Sequence, residues 1–359
     1  MTRTLDELRA RIDSIDASLL ELLEERASVA AEVAEAKRRE GRVSFYDPAR
    51  ERELTERLSS RSDGTLPTSA IRSIWREIIA ACLAVQRPLT VAHLGPEGTF
   101  TGMAARHLFG DSAVYRPVAT IDTVFHAIAH GDATRGVVPV ENSTEGTVGA
   151  TVRGLLASDL RIERELVLPI HYSLATHAPS LAAVRRVYSH PQALGQCGDW
   201  IRRHLPDAEL VPRASTAAAA GDVGTDAEGA ALLSERAAQV HGLPCIAANI
   251  ADDPGNATRF LVISTQDSAL TGNDRTSLAF ELPDRPGALR EALLVFEAEG
   301  VNLTHLESHP CRRRAWAWTF VCDLEGHRDD PPVAAAIEAL GTIAEDVRCL
   351  GSYPRHSSP

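Results

Sequence analysis

An apolar stripe, broken at a single place, runs through the first 36 residues and fixes how this chain must begin. Leu5, Leu8, Ile12, Ile15, Leu19, Leu22, Val29, Val33 and Ala36 step by threes and fours, and no Gly or Pro intervenes before Gly41. That spacing predicts one helix of about 35 residues, roughly 50 Å long at 1.5 Å per residue. A helix of that length cannot bury its stripe in a miniature core of its own, so pairing of two copies is the economical solution. The stripe skips one place, and Arg26 fills it.

Two more helices follow. Asp47-Pro48 supplies an N-cap and a first-turn Pro for a charged helix reaching about Leu58. Pro67-Thr68-Ser69 opens a third, whose apolar face is Ile71, Ile74, Trp75, Ile78, Ile79, Cys82 and Val85, and Pro88 closes it. Residues 1–88 therefore read as an all-α, three-helix domain. A guanidinium in the stripe costs on the order of several kcal/mol unless it meets an anion, either an acid such as Glu51 on a neighbouring helix or a bound ligand. Lys37 lies about 20° around the helix from Arg26 and about 16 Å further along it, on the same face. Arg50 and Glu51 fall in the first turns of the second helix and Gln86 on the inward face of the third. Such a set offers cations for carboxylates, a point donor and an amide donor. It suits chemistry that needs positioning and electrostatic stabilisation and no covalent step.

In type and spacing, Arg9, Arg26, Lys37, Asp47-x-x-Arg50-Glu51 and Gln86 resemble the all-helical chorismate mutases, which fold as intertwined dimers. The resemblance implies a Claisen rearrangement of chorismate to prephenate. Arg9 and Arg26 would bind the two substrate carboxylates, with Arg9, about 100° off the Arg26 face, reaching into the partner's site. Lys37 and Gln86 would donate to the ether oxygen, while Asp47, Arg50 and Glu51 orient the substrate hydroxyl and its cationic neighbours. Cys82 stands where some relatives have Ser and joins the substrate-binding set. Among 37 basic side chains Lys37 is the single lysine. It falls where the resemblance calls for a compact ammonium, which the planar fork of Arg would not replace.

From Thr90 the texture changes to short apolar runs alternating with helical patterns. Thr90–Leu94, Gly136–Val140, Arg186–Tyr188, Ala230–Leu233 and Phe260–Ile263 read as buried strands of an α/β domain spanning 90–265. Gly95-Pro96-Glu97-Gly98-Thr99-Phe100-Thr101 joins a strand to a helix, either as an anion cradle or as a plain tight turn. It is neither a dinucleotide fingerprint nor a Walker loop. Val138-Pro139-Val140-Glu141-Asn142-Ser143 ends a strand in polar side chains, where open α/β sheets bind ligands. Ser189-His190-Pro191-Gln192 precedes Gln196, and Thr258-Arg259-Phe260 enters the last strand. On its own, His190 reads as a hydrogen-bonded cap. Together these clusters resemble prephenate dehydratase, a two-lobed α/β domain of the periplasmic-binding-protein type with its site in the cleft. The resemblance implies loss of water and CO2 from prephenate to give phenylpyruvate. Thr258 would be the catalytic hydroxyl and Arg259 a carboxylate anchor, with Thr99, Asn142, Ser143, Ser189 and Gln196 as further contacts.

Thr265–Asp274 is polar and reads as a linker. Beyond it, Thr276–Leu282, a helix from Pro286, Val301–Glu307, Ala315–Asp323, a helix from Pro331 and Asp346–Leu350 give β-α-β-β-α-β, the α+β ferredoxin-like order, over 275–354. With Asp284-Arg285-Pro286-Gly287-Ala288-Leu289 and Asn302 to Ser308, this segment resembles the ACT regulatory domain that binds phenylalanine. Gly287, Ala288, Leu289, Asn302, Leu303, Glu307 and Ser308 would clasp the effector at a dimer interface. Relatives usually carry Arg where this chain has His309, which implies weaker or pH-dependent inhibition. Arg312–Arg314 beside Trp316 and Trp318 reads as a solvated hairpin tip.

Taken whole, the chain resembles the bifunctional chorismate mutase/prephenate dehydratases with a C-terminal ACT domain. That family needs no cofactor or metal. Its small-molecule partners are chorismate, prephenate and L-phenylalanine, and a homodimer or higher homo-oligomer is expected. A net charge of −12, of which the helical domain holds −1 (15 basic, 16 acidic), argues against a general nucleic-acid binder. Asp6 and Glu7 stand where a secretory signal would be apolar, and no apolar run approaches the about 18 residues of a membrane span, so a cytoplasmic protein is expected. Six Cys without a C-x-x-C pair read as free thiols. The alternatives are an enzyme with one active domain, one that accepts arogenate, or a non-catalytic regulator that binds a small acid. Arg26 in the stripe disfavours the regulator.

Overall fold

The computed structural model describes residues 3–39, 48–86, 89–311 and 317–356, with backbone alone at Arg38, Pro48, Ala49 and Gln86. Asp47, the Gln86 side chain and the Arg312–Trp316 cluster lie outside the described residues. The chain divides into two compact units, the helical N-terminal segment together with Phe109–Val114, and the remainder.

In the first unit, α1 (Leu5–Arg39) is the expected 35-residue helix, followed by α2 (Pro48–Arg61) and α3 (Thr68–Gln86). Thr4 and Glu7 set its start: the Thr4 backbone N–H donates to Glu7 Oε2 at 2.8 Å and the Glu7 N–H to Thr4 Oγ1 at 3.3 Å, a reciprocal capping box. Both α1 and α2 pack on α3, burying Ala34, Ile71 and Cys82. Most of the α1 stripe stays open; Leu5, Ile12 and Leu19 are 64%, 56% and 50% exposed.

The second unit opens with a lobe built on one mixed sheet. Its strands are β1 (Thr90–Leu94), β2 (Val114–Val118), β3 (Arg135–Asn142), β4 (Gly146–Thr147), β5 (Arg161–Pro169) and β11 (Ala257–Ser264). They run in the order β2-β1-β3-β11-β5, with β4 on β3. Between them come α4 (Phe100–Phe109), α5 (Ile121–Ala129) and α6 (Gly149–Ala157). The chain leaves after β5 to build a second lobe and returns at β11. That lobe holds β6 (Ser173–Ala175), β7 (Arg186–Ser189), β8 (Glu209–Pro212), β9 (Gly229–Leu233) and β10 (Cys245–Ala247), ordered β10-β6-β9-β7-β8. Its helices are α7 (Pro191–Gln196), α8 (Gly198–His204), α9 (Ala219–Val223) and α10 (Glu235–Val240). Strand β11 thus belongs to the hinge region and to the middle of the first sheet at once.

The C-terminal part is β12 (Asp274–Glu281), α11 (Ala288–Ala298), β13 (Leu303–Pro310), β14 (Trp318–Glu325), α12 (Pro331–Ile343) and β15 (Asp346–Pro354). Its antiparallel order, β13-β14-β12-β15, is that of the ferredoxin-like fold. Residues Ala292, Phe296, Val333, Ala336 and Leu340 of the two helices cover one sheet face. The other face lies on the first lobe, where Ala279, Val321, Leu350 and Tyr353 share a single core with Ile162, Leu261 and Ile263. Gly351 permits this approach, since a Cβ there would sit 2.8 Å from the Ile162 nitrogen. The polar stretch 265–274 therefore separates two folds without separating two cores.

The sequence reading passes over β5, because its pattern of Arg161, Glu163, Arg164 and Glu165 looks solvent-facing. Glu163 and Glu165 are in fact buried, the first paired with Arg135 and the second with Arg259 and Arg275. Their counter-ions come from distant strands, and no local pattern announces them. Among the described residues, no helix is long and apolar enough to cross a membrane.

Candidate active and effector sites

In the helical unit the register of α1 against α3 brings Arg26 and Cys82 together, with Arg26 Nη1 donating to Cys82 Sγ at 2.7 Å. Lys37 is half-buried near the end of α1. Arg9 stands exposed beside Asp6 at 3.9 Å. Arg50 pairs with Glu53 at 2.8 Å on α2, next to Glu51.

In the two-lobed domain one cluster stands out. The Thr144 and Glu145 backbone N–H groups donate to Asn142 Oδ1 at 3.2 and 3.1 Å, which fixes the orientation of that amide. Asn142 Nδ2 must then be the donor, and it reaches Thr258 Oγ1 and Asn256 Oδ1, each at 2.9 Å, and Ala257 O at 3.1 Å. Because Thr258 Oγ1 accepts from Asn142, its own proton remains available to another acceptor. A closed ring of donors runs on from there: Asn256 Nδ2 to Gln196 Oε1 at 2.9 Å, Gln196 Nε2 to Thr144 Oγ1 at 2.8 Å, and Thr144 Oγ1 to Asn142 Oδ1 at 2.7 Å. Gln196 belongs to the second lobe and the other three to the first, so the ring bridges the cleft. Tyr172 adds a donor to Gln196 Oε1 at 3.1 Å. Burial raises its phenol far above the usual range and keeps the proton on.

The remaining expected residues fare unevenly. Ser143 holds the Ala257 N–H with its Oγ at 3.0 Å, one step from Thr258. Two expectations need correcting. Ser189 is fully buried and its hydroxyl donates to Leu232 O at 2.5 Å. Thr99 donates to Leu94 O at 2.8 Å and caps α4 by accepting from the Gly102 N–H at 3.2 Å. Neither hydroxyl has a proton left for a ligand. The Gly-rich turn is a contact surface, because Gly98 presses on α10, where a Cβ would meet Ala237 Cα at 2.9 Å. Ser234 Oγ donates to Gly98 O at 2.9 Å. His190 is the N-cap of α7, as expected of a lone His in a turn.

The third correction concerns Arg259. Adjacent strand residues point to opposite faces, and Arg259 turns away from Thr258 into a buried network with Glu165, Asp323 and Tyr353. Sequence reasoning missed Thr144, Asn256 and Tyr172. The first two lie within two residues of Asn142 and Thr258, a proximity that could have flagged them.

In the C-terminal domain Gly287 adopts a left-handed conformation (φ 86°) at the start of α11, ahead of Ala288 and Leu289. Arg285 Nη1 ties this turn to Glu291 at 2.8 Å. Asn302 and Leu303 open β13. Further along it Glu307 accepts from Thr147 Oγ1 of the first lobe and contacts His309 Nε2 at 3.1 Å, whereas Ser308 is exposed on the other face.

Comparison with known proteins agrees along the whole chain. Residues 8–87 match the chorismate mutase type II family, 91–268 the prephenate dehydratase family and 276–342 the ACT domain. A bifunctional chorismate mutase/prephenate dehydratase of Aquifex aeolicus is 42% identical over 355 residues, covering 98% of each chain. One of Neisseria gonorrhoeae is 41% identical over 361 residues, covering 99% of each. The crystal structure of a prephenate dehydratase from Arthrobacter aurescens in complex with L-Phe superposes with a TM-score of 0.70 at 38% identity, over 74% of this chain and 90% of that one.

Proposed function

The chain belongs to the bifunctional chorismate mutase/prephenate dehydratases, and on that footing we propose that its two reactions turn on Lys37 and Thr258. It is an enzyme of phenylalanine biosynthesis. The helical domain rearranges chorismate to prephenate, the two-lobed domain converts prephenate to phenylpyruvate, and the ACT domain subjects the pathway to feedback by L-phenylalanine.

In the first reaction an ether C–O bond breaks as a C–C bond forms, with no bond to the protein. Catalysis is then a matter of holding the substrate folded and stabilising charge on the departing oxygen. Arg9 and Arg26 take the carboxylates, with Cys82 steadying Arg26. Lys37 and Gln86 donate to the ether oxygen, and Asp47, Arg50 and Glu51 orient the hydroxyl.

In the second reaction the electrons of the C–CO2 bond enter the ring and the ring C–OH bond breaks. The leaving hydroxide takes up a proton and departs as water, while aromatisation drives the change. Thr258 hydrogen-bonds that leaving oxygen. Asn142 holds Thr258, and Ser143, Gln196, Thr144 and Asn256 hold the frame. The free Thr258 proton, left over because Asn142 Nδ2 is itself a donor, is the observation that carries this reading. The glycine turn at 287 with Ala288, Leu289, Asn302, Leu303, Glu307 and Ser308 is the effector site, a reading supported by the L-Phe complex of the Arthrobacter relative.

Assays of chorismate loss and phenylpyruvate formation on the intact chain test the pair of activities, and absence of both overturns the enzyme reading. A second copy of the chain covers the open α1 stripe and receives Arg9, making the enzyme at least a dimer. Sedimentation at micromolar concentration should give twice the chain mass or more, and a monomer would sink that claim. The cytoplasm, where six thiols stay reduced, is the compartment we assign.

A further inference from the structure

Thr258 and Arg259 leave β11 on opposite faces, one toward the cleft ring and the other toward the ACT sheet. The Arg259 side chain is only 13% exposed and engages all three guanidinium nitrogens. Nε donates to Glu165 Oε2 at 2.7 Å, Nη1 to Asp323 Oδ2 at 2.6 Å and Nη2 to the Tyr353 hydroxyl at 2.8 Å. Ser277 Oγ donates to the other Asp323 oxygen at 2.5 Å and lies 2.7 Å from the Tyr353 hydroxyl. Asp323 and Tyr353 stand on β14 and β15, so two ACT strands grip one side chain of the strand that bears Thr258, and Ser277 on β12 braces both grips.

The fourth ACT strand supplies a second tether. Glu307 of β13 binds Thr147, and Thr147 pairs with Glu141 across the β3–β4 ladder, one residue from Asn142. The same β13 sets His305 opposite Asp323 in register. Both members of the Asn142–Thr258 hydrogen bond are therefore held to the ACT sheet through an immediate neighbour in the chain.

We propose that Arg259 is a positioning residue of the dehydratase: gripped by Asp323 and Tyr353, it fixes where Thr258 stands in the cleft, and L-phenylalanine inhibits by shifting that grip. The inference rests on the dehydratase and effector readings above. A guanidinium buried between two carboxylates is either paired or costly, and a packed core shifts between discrete arrangements instead of deforming smoothly. A displacement of β14 against the first lobe is thus passed to β11, where Thr258 must move with its neighbour.

The test uses the full chain with two shape-preserving variants, Asp323→Asn and Tyr353→Phe. Each is assayed with prephenate across an L-phenylalanine titration, with effector binding followed separately by thermal shift. Asp323→Asn should lower kcat for prephenate by about fivefold with KM little changed, and raise the inhibition midpoint by about tenfold or more while the thermal-shift response to L-phenylalanine persists. Tyr353→Phe, which removes one hydroxyl, should move both quantities the same way by about two- to threefold, and it decides the matter alone if Asp323→Asn does not fold. Folded variants with wild-type kcat and wild-type inhibition would show a merely structural network and overturn the proposal. Wild-type protein with no prephenate turnover would overturn the dehydratase reading itself, a separate and recognisable result.

Discussion

Thr258→Val should lower prephenate turnover by about a hundred- to a thousandfold, the usual effect of deleting one preorganised donor from a reacting oxygen, and leave chorismate turnover unchanged. Val matches Thr in shape and strand preference and lacks the hydroxyl. Asn142 Nδ2 would keep Asn256 Oδ1 and Ala257 O as acceptors, so no buried donor is stranded and the fold should hold. The loss should appear in kcat, because a hydrogen bond that strengthens as the hydroxide departs contributes little to ground-state binding. Thr258→Ser, which restores a hydroxyl, should recover most of the rate. Turnover by Thr258→Val within a few-fold of wild type would remove Thr258 from the chemistry.

The mirror experiment lies in the helical domain. Lys37→Arg should cut chorismate turnover by about a hundredfold or more while prephenate turnover stays at its wild-type value, because positive charge alone is not what the position supplies. An ammonium is a compact donor on a flexible stem, and a guanidinium is a planar fork whose donors diverge. In a reaction without covalent help, the placement of one donor against the breaking bond carries much of the rate. Steady-state assay of both activities on one preparation makes each domain the folding control for the other. Near-normal mutase activity in Lys37→Arg would show that any cation suffices there.

Much of this was legible without coordinates, for reasons that differ by element. Helix α1 declares itself because a period near 3.6 is sustained over 35 residues. The buried runs of β1, β3, β7, β9 and β11 are dense enough in apolar residues to be read directly. Strand β5 is not, since the groups that neutralise Glu163 and Glu165 are Arg135, Arg259 and Arg275, far away in sequence. The same limit explains the site. A motif shows that Asn142 and Thr258 belong together, but not that Ser189 and Thr99 have already given their protons to backbone carbonyls. Arg259 was misread because a motif is a line of letters and a strand has two sides. Thr-Arg-Phe looks like one functional patch until the pleat sends its middle member to the far face.

The contact that Gly351 allows between β15 and Ile162 has a practical consequence for anyone wishing to free the enzyme from its end product. Deletion is the obvious route, with a stop placed in the stretch 265–274. It would strip cover from Ile162, Leu261 and Ile263, leave Arg259 without Asp323 and Tyr353 and take Arg275 from Glu165. The truncated chain would carry a sticky apolar face beside a broken ion cluster, the makings of an insoluble product. Deregulated phenylalanine producers built on this scaffold should come from point changes at the effector turn, with the sensor left in place as part of the wall it supports.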